Sequence, residues 1–184
     1  DGPRQWVERF GRKMWWIPTM GGEFLLDRRY GFQDGIMGGN LWFLGETEDA
    51  AIEAAEKAAQ ACLTSPGTIC TFPGGVASSA SKAGSRYSFL FASTYEKFCP
   101  LLRDELGSDS GVPEGISSIM EIIINGRDLE TVAEATYNAI EAAAETPGLR
   151  TISAGNYNGR LGKSFIYLKP CLLYTSPSPR DVRS

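Results

Sequence analysis

Histidine is absent from all 184 residues. That removes the Ser-His-Asp and Cys-His nucleophile pairs, His-ligated zinc and imidazole as a general base. Proton transfer must fall to carboxylates, Lys, Tyr or Cys. No C-x-x-C pair occurs among Cys62, Cys70, Cys99 and Cys171, and no signal-peptide pattern opens the sequence. A disulfide framework and a metal cluster are therefore not expected, and the setting is read as reducing and cytoplasmic. Long apolar runs are missing too: stretches such as Ile119–Ile124 fall far short of the roughly 20 residues of a membrane span. Basic excess is lacking, with 18 Lys and Arg against 22 Asp and Glu and a net charge of -4, which argues against nucleic acid as partner.

What is present is a chain long enough for one compact domain, or one and a fraction, 42% hydrophobic, with 21 glycines. Residues Leu41–Gly45 read as a strand. Thr47 then offers a helix cap, with Glu48 and Asp49 suited to the positive helix terminus. The helix runs to about Leu63 with Ile52, Ala55, Ala59 and Cys62 on one stripe; Ser65-Pro66-Gly67 stops it, and Thr68–Phe72 starts another strand. Shifted by 81 positions the pattern returns: strand Ile119–Asn125, cap Asp128, and a stripe of Leu129, Val132, Thr136, Ile140 and Ala143. Gly126 then matches Gly45, Pro147-Gly148 matches Pro66-Gly67, and Gly155 matches Gly74. Further strands are expected at Glu23–Asp27 and Ser164–Leu168. Two β-α-β units feeding one sheet predict an α+β sandwich of ferredoxin-like type, with the helices on one face.

Three segments could carry chemistry. Residues 72–87, Phe72-Pro73-Gly74-Gly75 through Ser79, Ser81, Lys82, Ser85 and Arg86, offer close backbone approach, hydroxyls and two cations. A solvated connector is the plain alternative. Ser79-Ala80-Ser81-Lys82 fits S-x-x-K, but the S-D-N and K-T-G partners of a Ser-Lys amide hydrolase are absent. In Ile119–Asn125, alternation puts Met120, Ile122 and Ile124 on one face and Glu121 with Ile123 on the other. If Glu121's face is covered, burial disfavours the charged form and leaves a neutral acid able to donate a hydrogen bond. If it meets water, Glu121 only keeps the sheet soluble. The third segment, Ala154–Lys163, reads as a turn-rich hairpin connection, and Gly38-Gly39-Asn40 as a tight turn or bulge or a ligand contact.

Taken in order, these strings resemble the formylmethanofuran:tetrahydromethanopterin formyltransferase family. The resemblance runs from Gly11-Arg12-Lys13 to Lys169 through Gly22-Glu23-Phe24, Gly38-Gly39-Asn40, Phe72-Pro73-Gly74-Gly75, Ser81–Ser85, Ala92-Ser93-Thr94, Cys99-Pro100, Glu121-Ile122 with Asn125-Gly126, and Ile152–Asn156. Tyr95 and Phe98 stand where the family usually has Asn and Tyr, and Asn158 where it usually has Gly. The family's members are roughly double this length, and the chain looks like their carboxyl-terminal half. The resemblance implies one lobe of a two-lobed subunit, with residues 1–20 a remnant of the inter-lobe segment, 21–169 the lobe, and 170–184, Pro/Ser-rich, a non-native or disordered tail.

It further implies formyl transfer between methanofuran and N5 of tetrahydromethanopterin, in methanogenesis or formaldehyde oxidation, by cytoplasmic homotetramers without a prosthetic group. Glu121 becomes the catalytic acid, and Gly74, Gly75, Ser81, Lys82, Ser85, Arg86 and Asn156 contacts for the coenzyme substrates. A fragment of this size is expected to be inactive alone. The alternative is a non-catalytic assembly subunit of a formyltransferase/hydrolase complex.

Overall fold

The computed structural model describes residues 2–78, 89, 95–155 and 162–168. The chain divides into two compact units, Asp1–Asp34 and Gly35–Ser184.

The first unit is a three-stranded antiparallel meander of β1 (Gln5–Arg9), β2 (Arg12–Thr19) and β3 (Gly22–Asp27). Strands β1 and β2 join through Phe10 and Gly11, both at positive φ (55° and 68°), a two-residue turn whose twist matches the flanking strands. Trp6 lies directly opposite Trp15, and the rings stack at 3.6 Å under the cations of Arg4, Lys13 and Arg28. Trp16 donates from Nε1 to Glu23 at 2.6 Å. Trp15 and Trp16 are thus half-buried within their own sheet.

The second unit carries both repeats. Its elements are β4 (Ile36–Gly45), α1 (Glu48–Thr64), β5 (Thr68–Cys70), β6 (Val76–Ala77), α2 (Arg103–Leu106), β7 (Ser118–Gly126), α3 (Leu129–Ala144) and β8 (Leu149–Ser153). The sheet order is β5-β7-β4-β8 with every neighbouring pair antiparallel, the ferredoxin-like arrangement of two interleaved β-α-β units. Strand β6 continues the edge beyond β5, pairing Val76 with Ile122 and Ala77 with Glu121.

The caps work as read. Thr47 Oγ1 accepts from Ala50 N at 3.2 Å, and Asp128 Oδ1 from Thr131 N at 2.8 Å. The matching glycines have a steric reason: each closes a strand where its helix folds back. A Cβ on Gly45 would sit 2.7 Å from Ala51 N, and one on Gly126 2.6 Å from Val132 Cγ2. Alanines 51, 54, 55, 58 and 59 on α1, and 135, 139 and 143 on α3, are buried against Leu41, Phe43, Met120, Ile122 and Ile124 on one face of the sheet. The small side chains let both helices lie close to it.

Three expectations need correction. The strand at Thr68 ends at Cys70, because Phe72-Pro73-Gly74-Gly75 makes a tight turn, with Gly75 N donating to Phe72 O at 2.7 Å. Residues Ser164–Leu168 join no strand ladder; Ile166 and Leu168 pack on the core through their side chains. Leu129, assigned to the apolar stripe, is 37% exposed in the first turn of α3.

The sheet's other face is covered as well. Trp42, Leu44 and Ile119 pack with Val112 and Ile116, and with Tyr95 and Phe98. Arg103 pins this cover by donating from Nη2 to Pro113 O (2.8 Å) and Ile116 O (2.6 Å).

Candidate active site

Alternation along β7 sends Glu121 away from the helices, toward the second layer. The register sets its neighbours: Trp42 of β4 lies directly opposite on one side, and Ala77 of β6 on the other. Directly paired residues share a face, so Glu121 stands between a large indole and a single methyl. It is 8% exposed. The face carrying Glu121 is therefore a covered one, and a buried carboxyl needs partners.

Two N–H groups supply them. Asn40 Nδ2 donates to Glu121 Oε1 at 2.7 Å, and Trp42 Nε1 donates to the same oxygen at 3.1 Å. Neither engages Oε2. Asn40 is held in turn, since its Oδ1 accepts from Gly155 N at 3.2 Å. Trp42 is wedged by edge-on contacts to Tyr95 (6.2 Å) and Phe98 (5.2 Å). Gly155 has no room for a side chain, because a Cβ there would lie 2.5 Å from Trp42 Cζ2. The four elements β4, β7, the end of β8 and the 95–98 segment thus converge on one carboxyl group.

Of the other residues assigned from sequence, Gly74 and Gly75 lie before β6, on the α1 side. Gly75 packs on Ala59 and Cys70, while Gly74 is open. Gly74 also borders a shallow groove of about 680 Å³ lined by Glu56, Lys57, Gln60 and Thr64, which does not include Glu121. Ser81, Lys82, Ser85, Arg86 and Asn156 lie outside the described residues, as do Ser79 of the S-x-x-K string and Asn158. Of the described residues that precede those segments, Ala77 pairs with Glu121 and Gly155 donates to Asn40.

Asn40 and Trp42 were not assigned as partners of Glu121 from the sequence. Alternation along β4 gave a signal, since it separates Asn40, Trp42 and Leu44 from Leu41 and Phe43. Which carboxyl they meet is set only by the β4-β7 register. Of the readings of Gly38-Gly39-Asn40, the bulge is present, as the register slips between Ile36 and Gly39, but it lies inside β4, which starts at Ile36 and not at Leu41. Among the described residues no three His, Cys, Asp or Glu side chains gather as metal ligands, and no helix is long and apolar enough to cross a membrane.

Chemically, the site holds one oxygen of a carboxyl group with two fixed donors, and neither of them reaches the other oxygen.

Comparison with known proteins places residues 22–171 under the family model "FTR, proximal lobe". The chain is 46% identical over 169 residues to formylmethanofuran--tetrahydromethanopterin formyltransferase of Methanothermus fervidus, covering 91% of this chain and 57% of that protein. It is 44% identical to the enzyme of the same name from Archaeoglobus fulgidus, with the same coverage. Among solved structures, the Methanosarcina barkeri enzyme matches with a TM-score of 0.66 at 40% identity, covering 89% of this chain and 55% of that one. The formyltransferase/hydrolase complex of Methylorubrum extorquens with methylofuran matches with a TM-score of 0.68 at 35% identity, covering 94% and 57%. The chain spans a little over half the length of these relatives and corresponds to their carboxyl-terminal portion.

Proposed function

Because the chain belongs to the formyltransferase family defined by the FTR proximal lobe, we propose that Glu121 is the acid that stabilises the tetrahedral adduct when a formyl group passes between formylmethanofuran and N5 of tetrahydromethanopterin. N5 attacks the formyl carbon, the C=O electrons move onto oxygen, and the new C–N5 bond forms. Collapse of the adduct breaks the bond to the methanofuran nitrogen, and the proton that N5 loses ends on that leaving amine. Glu121, neutral, donates a hydrogen bond from Oε2 to the developing oxyanion. One such preorganised donor is worth about a 10²–10³-fold rate gain. The remainder comes from holding two amines in register, an entropic saving.

The observation that carries this reading is Glu121 itself: buried in mid-strand, with Oε1 held by Asn40 and Trp42 and Oε2 engaged by neither. Ala77 beside it supplies the short side chain that a substrate's approach needs. The reaction requires no prosthetic group, and both coenzymes enter as substrates. Lys82 and Arg86 suit their acidic groups, with Gly74, Gly75, Ser81, Ser85 and Asn156 as the accompanying contacts. A cytoplasmic homotetramer of the full-length protein completes the proposal.

The likeness to a formyltransferase/hydrolase complex supports a second reading, in which the same lobe serves as a non-catalytic assembly subunit. The two part at Glu121. In a version spanning the full length of the relatives, Glu121→Ala should lower kcat about 10²–10³-fold with oligomerisation intact. Glu121→Gln should retain more, because its carboxamide accepts from Asn40 and Trp42 and presents N–H where Oε2 stood. Unchanged turnover in both variants moves the role from catalysis to assembly.

A further inference from the structure

The proposed chemistry needs the acid proton on one oxygen and not the other, and burial alone does not choose. We propose that Asn40 is the positioning residue that makes the choice, an inference that rests on the catalytic reading of Glu121. Its own orientation is fixed from behind. The Gly155 N–H can only donate, so the carboxamide must turn Oδ1 toward it (3.2 Å) and Nδ2 toward Glu121 (2.7 Å). The reverse setting would face an amide N–H with an NH₂ and a carboxyl oxygen with a carbonyl oxygen, two repulsive contacts in a half-buried place. Asn40 is therefore a donor to Oε1 by construction.

Trp42 cannot do this alone. Its single N–H reaches Oε1 at 3.1 Å, the longer of the two bonds, and leaves Oε1 with an open lone pair. With Asn40 in place both lone pairs of Oε1 are committed and a proton there would point at two donors. The acid form is thereby restricted to Oε2–H, and the carboxyl plane is fixed by donors from two points along β4. Asn40 also joins the end of β8 to the acid, so the backbone leading into Asn156 and the proton on Glu121 are held by one side chain. No atom of Asn40 is required to touch substrate.

Asn40→Asp is the sharpest test, made in the full-length protein. Aspartate keeps an oxygen for Gly155 N but replaces the N–H donor with an acceptor, which draws the Glu121 proton toward residue 40 and away from Oε2. The expected result is a fall in kcat of about 10- to 100-fold, the scale of leaving one buried hydrogen-bonding group unsatisfied, with KM for both coenzymes changed less than about threefold. Asn40→Ala, which keeps Trp42 as sole donor, should show the same split with a smaller loss. In a Glu121→Ala background neither substitution should lower kcat further.

Unchanged kcat in both Asn40 variants, while Glu121→Ala remains impaired, overturns the positioning role and leaves the catalytic reading standing. An equal loss in the Glu121→Ala background also overturns it, because Asn40 then acts through something else. Full turnover by Glu121→Ala removes both. Far-ultraviolet circular dichroism on each variant separates these outcomes from misfolding, and Asn40→Ser serves as the replacement if Asn40→Ala does not fold.

Discussion

Asn40 and Glu121 stand 81 residues apart, at matching positions of the two β-α-β units, and their side chains meet at 2.7 Å. The register explains how. Strands β4 and β7 run antiparallel with Leu41 directly opposite Ile122, a pair that is itself 81 apart. A local twofold axis therefore passes between that pair, and the residue preceding each becomes the other's diagonal neighbour on the face away from the helices. One unit places a carboxamide there and the other a carboxyl group. Duplicated architecture thus builds a site from one repeat position at which the two copies carry different side chains.

Trp42 should separate packing from hydrogen bonding. Trp42→Ala empties a nearly sealed pocket against Tyr95 and Phe98 and should cost about 3–5 kcal/mol of stability. Trp42→Phe keeps an aromatic face but loses the Nε1 donor, and should cost about 1–2 kcal/mol. Urea unfolding of both variants measures the difference.

Gly74 and Gly155 align in the internal repeat but should resist enlargement for different reasons. Gly155→Ala drives a methyl to 2.5 Å from Trp42 Cζ2 and 3.2 Å from Asn40 Nδ2, so about 1–3 kcal/mol of stability should be lost, together with turnover in the full-length protein. At Gly74 nothing among the described residues lies within 4 Å of an added Cβ, and among them only its φ of 71° opposes a side chain. Gly74→Ala should therefore cost about 1–2 kcal/mol and leave the Glu121 cluster unmoved. Paired denaturation and activity measurements test the contrast.

Asp128 gives a pH signature. Hydrogen bonds from the Thr131 hydroxyl, then from Thr131 N–H and from Arg127, lower its carboxyl from 3.8 to about 2. Folding favours the ionised form, so this contribution to stability is complete above about 3.8 and is lost as pH falls through about 2. Asp128→Asn caps the helix without titrating. Its stability relative to the unsubstituted protein should rise between pH 4 and pH 2 in parallel thermal melts.

Cys62 and Cys70 should differ in reactivity. The hydrogen bond with Cys70, and then burial, push the Cys62 thiol well above its ordinary range, while the bond from Cys62 lowers Cys70 against the opposing effect of its own burial. Cys62 is fully buried and Cys70 half-buried. Iodoacetamide should modify Cys70 in the native protein and reach Cys62 only under denaturing conditions, as peptide mass mapping will show. Native-state labelling of Cys62 at the rate of Cys70 would contradict the packing of α1.

Local chemistry made much of this readable from sequence. Thr47 and Asp128 announced their helices because a cap bonds its own next turn. Gly45 and Gly126 marked strand ends because the following helix returns over them. The face assignment of Glu121 needed only the two-residue period of a strand. Where local reading failed, a distant contact had decided. Strand β5 stops at Cys70 because the Phe72–Gly75 turn follows, which lays Gly75 on Ala59, and Ser164–Leu168 stays out of the sheet although its apolar residues pack on the core.

The sequence by itself therefore determined the two repeats, their helix starts and the isolated carboxyl in an apolar strand, since each depends on neighbours a few residues away. The tertiary structure alone decided that this carboxyl is buried, that Asn40 and Trp42 hold one of its oxygens, and that Gly155 must lack a side chain. Those facts depend on the register between strands about 80 residues apart and on the layer laid over them. A strand's period fixes which way a side chain points; only pairing fixes what it meets.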